Sequence, residues 1–123
     1  MKTALLLMLI VAGLVGVTTT AVIQVNAALK VQNLNDFFVQ NRTTGEPMLA
    51  VVGLATNDGN ETQMKIDFSL ALYDNKGEIV GTSFLYDDDV KVNDTIPFQF
   101  TVPSTDIKNG DFGAIMNYSV IAE

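Results

Sequence analysis

Asp87-Asp88-Asp89, with Asp94 five residues on, is the densest set of groups in this 123-residue chain that could take part in chemistry. Clustered carboxylates can hold a hard cation such as calcium through oxygen ligands. Consecutive side chains on an extended chain point alternately to opposite sides, however, and the spaced D-x-D-x-D-G loop that converges such ligands is missing. The expected role of these aspartates is a solvated, charged connection that discourages edge pairing. Two carboxylates could also serve as acid and base, but the sequence offers them no nucleophile or partner. With no cysteine and no histidine, thiolate metal sites, thiol nucleophiles and imidazole bases are all excluded. Of five methionines, Met1 and Met8 lie in the leader and Met48, Met64 and Met116 stand singly, so no copper centre is expected. The expectation is a protein that is not an enzyme, with no catalytic residue, metal or cofactor.

A second kind of chemistry is written on the chain rather than performed by it. Asn41-Arg-Thr43, Asn60-Glu-Thr62, Asn93-Asp-Thr95 and Asn117-Tyr-Ser119 each match the acceptor pattern for N-glycosylation. Asn41, Asn60 and Asn93 fall in expected loops, where a glycan attaches without disturbing a core. Turn chemistry is the alternative explanation, because asparagine is favoured in turns for its own reasons.

The elements that position these groups follow from charge and periodicity. Seven basic residues against 14 acidic give a net charge of −7, which excludes an electrostatic nucleic-acid binder. "MKTALLLMLIVAGLVGVTTTAVIQVNA" is a hydrophobic leader with one charge, Lys2. It reads as an export signal cleaved before Ala28, with Val25-Asn26-Ala27 as the small-residue site, or as a retained membrane anchor. Either way the remaining chain, residues 28–123, lies outside the cytoplasm, secreted or tethered. Roughly 95 residues remain, enough for one modest core.

In that remainder the pattern turns from continuous to alternating. Met64, Ile66, Phe68, Leu70 and Leu72 occupy every second position, which puts them on one face of a strand. "DNKG" then turns the chain, with Asp74 and Asn75 able to bond local amides and Gly77 able to take a positive φ. "MLAVVGLATN" reads as a core strand in which Gly53 marks a bulge or a close approach of backbone. In "TIPFQFTVP", Ile96, Phe98, Phe100 and Val102 alternate inward, and Pro97 and Pro103 favour a strand end or an edge. Strands are expected near 37–40, 48–56, 63–73, 79–86, 95–102 and 114–122. That spacing predicts an all-β, immunoglobulin-like antiparallel β-sandwich of about six to seven strands, preceded by the N-terminal hydrophobic helix.

The residues "VVGLATNDGNET", "LALYDNKGEIVGT" and "IPFQFTVP" resemble the FxLYD domain family of exported prokaryotic proteins, archaeal ones included. The resemblance spans about residues 48–121. It places Leu70, Leu72, Tyr73 and Asp74 on the name motif, with Leu70 where the family name has Phe, and it adds Gly53, Asn57 and Gly77. What it implies is a small extracytoplasmic module, lending fold and location but no catalytic residue. Two functions are therefore expected: a structural or binding module at the cell surface that meets a protein partner in the envelope, or a membrane-anchored accessory subunit of a cell-surface machine, such as an appendage stator or filament-associated domain.

Overall fold

In the computed structural model the described residues are Leu5–Ala12, Thr18–Val25 and 28–123, with side chains described for 28–123 only. Leu5–Ala12 (β1) and Thr18–Val25 (β2) pair antiparallel, from Leu5↔Val25 to Ala12↔Thr18. The leader helix expected over 1–27 is not among the described elements, and the rest of the leader, including Asn26 and Ala27 of the cleavage site, lies outside the described residues. Among the described residues no helix is long and apolar enough to cross a membrane.

Six further strands follow: Lys30–Gln40 (β3), Pro47–Thr56 (β4), Gln63–Tyr73 (β5), Ile79–Val90 (β6), Thr95–Pro103 (β7) and Asn117–Ala122 (β8). They form two three-stranded sheets, β3-β4-β7 and β6-β5-β8, with every pairing antiparallel. The alternation read in β5 and β7 buries Ile66, Phe68, Leu70 and Leu72 from one sheet and Phe98, Phe100 and Val102 from the other in a single core. Phe68 and Phe98 join the two sheets with ring centroids 5.2 Å apart. Each such side chain contributes about 1.5–3 kcal/mol when fully buried, so this shared core is what holds the sheets together.

Several boundaries differ from those expected. The strand before Asn41 begins at Lys30 rather than near Phe37, because a bulge absorbs its polar interruption: the register with β4 shifts between Gln32 and Asn35, and Asn33 takes φ 57°. Asparagine tolerates that left-handed conformation better than most residues. β6 continues through Asp87, Asp88 and Asp89 to Val90, so these aspartates lie in a strand and not in a connection. Pairing with β5, which sets Asp88 opposite Lys65, offsets their poor strand propensity. Met64 is 69% exposed rather than inward, across the strand pair from Asp89, whose φ of 54° disturbs the regular pleat there. Phe112–Ala114 forms a short 3-10 turn, so the last strand starts at Asn117 and not at Ala114.

The turns obey local chemistry. The Asp74 carboxylate accepts from the backbone amides of Lys76 at 2.8 Å and Glu78 at 3.0 Å, and Gly77 sits at φ 77°. Those two amide bonds hold the Asp74 carboxyl below its ordinary value. β7 is a sheet edge, a position that accommodates the missing N–H of Pro97.

One polar pair ties the sheets together. Tyr118 of β8 is fully buried, and its hydroxyl donates to Asp36 Oδ1 of β3 at 3.3 Å. Burial, then the neighbouring Asp36 charge, raises the Tyr118 phenol above its ordinary value. Asp36 is also raised, above 3.8, because the cost of burying its charge outweighs the tyrosine hydrogen bond. A carboxyl raised on folding contributes stability that is complete below pH 3.8 and is lost as pH rises through the folded-state value. Asp36→Asn, which keeps an acceptor and removes the charge, is therefore expected to stabilise the protein at pH 7 by less than about 1 kcal/mol. Urea titrations at pH 7 and pH 3 test this. A variant no more stable than the parent at pH 7 would show that the hydrogen bond outweighs desolvation.

Candidate binding surface

β6 lies at the edge of its sheet: β5 is its only strand neighbour among the described residues, and on its other side a single bridge joins Gly81 to Ile107. Its alternation places Leu85 on the core side and Phe84 and Tyr86 on the outer face, 72% and 73% exposed. The register sets Ser69 opposite Phe84, Asp67 opposite Tyr86 and Lys65 opposite Asp88. Two large aromatic rings thus stand in water on a face whose β5 neighbours are small or charged, beside an edge that pairs with no other strand among the described residues past the bridge at Gly81. Aromatic side chains of this kind anchor protein interfaces, and an open edge can accept an added strand. Asp87, Asp88 and Asp89 occupy the far end of the same edge, where charge opposes indiscriminate pairing.

The other sheet carries a surface cavity of about 470 Å³ lined by Asn33, Val52, Gly53, Leu54, Pro97, Phe98 and Gln99. Asn33 of its lining belongs to the β3 bulge, which faces Gly53 where the register with β4 shifts between Gln32 and Asn35. Asn33 and Gln99 are its only polar side chains and none of its residues titrates, so it could hold an apolar group but supplies no acid, base or nucleophile.

The residues of the family resemblance do not converge on a site. Leu70 and Leu72 are core. Tyr73 and Ser119 share a hydroxyl hydrogen bond of 3.0 Å across β5 and β8, and Asp74 and Gly77 build the hairpin turn. Asn57 is fully buried. Its Nδ2 donates to the carbonyls of Glu61 at 2.9 Å and Val90 at 2.8 Å, and its Oδ1 accepts from the Gly59 amide at 3.1 Å. It joins the loop after β4 to the end of β6, and its backbone joins the 91–94 turn through bonds to Asn93 and Asp94. Among the described residues no three carboxylates are grouped to hold a metal ion.

Reading 79–86 only as a strand, without its parity, misses the aromatic pair. The signal was present: Phe84 and Tyr86 share a parity opposite to Leu85, so a strand with Leu85 inward must display both rings. The chain matches no family model, and no match is found among curated proteins or solved structures.

Proposed function

We propose that this domain is a non-enzymatic, extracytoplasmic module that binds a protein partner of the cell envelope through the outer face and edge of β6. The observation that carries the reading is the exposure of Phe84 and Tyr86 on an edge strand, beyond the Gly81–Ile107 bridge. A finer fold assignment accompanies it, an immunoglobulin-like sandwich. In support, β8-β5-β6 follows the F-C-C′ order of a variable-type sheet and β3-β4-β7 the A-B-E order of its partner. FxLYD membership is proposed on the same footing, supported by the core placement of Leu70 and Leu72 and by the turn built on Asp74 and Gly77. The leader supplies the export signal or anchor, and no catalytic residue, metal or cofactor is assigned.

Photo-crosslinking in intact cells tests the surface, with the reactive group placed at position 84 or, on the other sheet, at position 101. The expected result is one dominant adduct from position 84, absent from position 101 and reduced by Tyr86→Ser. Equal labelling from both positions would rule the surface out. Because both rings are exposed, Phe84→Ser and Tyr86→Ser should each change stability by no more than about 0.5 kcal/mol, which separates lost binding from lost folding. The intact mass of the same protein, beginning at Met1 or at Ala28, distinguishes a tethered module from a released one.

A further inference from the structure

The four N-glycosylation patterns are equivalent in sequence but not in the folded domain. Transfer requires an accessible asparagine amide and a free hydroxyl two residues later, presented on chain that can be drawn into an enzyme. At Asn41 the side chain is committed to its own turn: Oδ1 accepts from the amides of Thr43 and Thr44 at 2.8 and 3.1 Å. Asn117 is half-buried in β8, and its Ser119 is buried with its hydroxyl bonded to Tyr73. Asn93 is exposed but sits at φ 69° in a tight turn, and the Thr95 hydroxyl is held by Thr56 at 2.7 Å.

Asn60 differs on every count. Asn60, Glu61 and Thr62 are all exposed and lie outside the strands, and neither the Asn60 amide nor the Thr62 hydroxyl makes a hydrogen bond to the described residues. Asn57 anchors the loop on both sides, at Gly59 and at the Glu61 carbonyl, which leaves Asn60 at the crest between the two anchors. We propose that Asn60 is the N-glycan acceptor of this protein. The donor class is a polyisoprenyl-phosphate-linked oligosaccharide. A bond forms between Asn60 Nδ2 and the sugar's anomeric carbon as the bond from that carbon to the lipid phosphate oxygen breaks. The amide gives up one proton, and the lipid phosphate leaves with the electron pair. The cellular setting of this step rests on the extracytoplasmic reading above, but the selectivity among the four asparagines rests on the fold alone.

The test uses the purified full chain, folded, with a single-subunit oligosaccharyltransferase and its lipid-linked donor, read by peptide mass spectrometry. A sugar-sized gain is expected on the Asn60 peptide alone, lost in Asn60→Gln and Thr62→Ala and kept in Thr62→Ser. Gain at Asn41, Asn93 or Asn117 of the folded protein would overturn the proposal. So would an unmodified Asn60 under conditions that modify the urea-denatured chain. Purified components make the outcome independent of export, so its failure and that of the crosslinking experiment are separately visible.

Discussion

Asn57→Ala is expected to cost about 3–5 kcal/mol, a large part of the roughly 5–15 kcal/mol that holds a domain folded. The substitution removes three side-chain hydrogen bonds at once from a residue with no exposed surface. The bonds to Glu61 and Gly59 are worth about 1 kcal/mol net each, and the buried Val90 carbonyl left without its donor costs about 1–3 kcal/mol of desolvation. A further loss follows from position: Asn57 joins the loop after β4 to the turn after β6, so those loops lose their common anchor. Urea denaturation should show the midpoint falling with an unchanged slope. Asn57→Asp, nearly the same shape, should be no better, because a carboxylate has no donor for the Glu61 and Val90 carbonyls. Asn60→Gln, three residues away and exposed, should stay within about 0.5 kcal/mol of the parent. Parent-like stability of Asn57→Ala would mean that water substitutes for the side chain and that the knot is not structural.

That contrast between Asn57 and Asn60 also marks how far the sequence could be read. Both asparagines sit in "NDGNET", and local chemistry makes each a turn residue. What separates them is the Val90 carbonyl, 33 residues away from Asn57, which no local pattern announces. β5 and β7 were legible because their hydrophobic sets have period two and one face of each is buried. β3 was not, since Asn33, Asn35 and Asp36 look like breaks until a bulge and a cross-sheet tyrosine accommodate them. The end of β6 was hidden for the same reason: pairing with β5 overrides the low strand propensity of three aspartates. At the candidate surface the parity of Phe84 and Tyr86 could be read from the sequence, but their lying on an edge strand is a property of the whole topology.

The second large effect is expected at Gly53. Its φ is ordinary, so the constraint on a side chain here is space and not backbone freedom. A Cβ would stand 2.6 Å from Phe98 Cζ and 3.0 Å from Leu34 Cδ2. Phe98 faces Gly53 directly across the β4–β7 pair and lays its ring over the glycine, an arrangement that covers a position with no side chain of its own. The ring cannot simply withdraw, because it also packs on Phe68 and, at 5.8 Å between centroids, on Phe100. Gly53→Ala is therefore an overpacking change, expected to cost about 1–3 kcal/mol. Phe98→Leu alone should also destabilise, through lost burial and a partial cavity. The two changes relieve one another, however, since a leucine at 98 leaves room for the new methyl. A double-mutant cycle read by urea denaturation should give a favourable coupling of about 0.5–3 kcal/mol, the range seen for residues in direct contact. Simple additivity would mean that Leu34 and the bulged strand, and not the Phe98 ring, set the limit at Gly53. In that case Leu34→Ala should provide the relief instead.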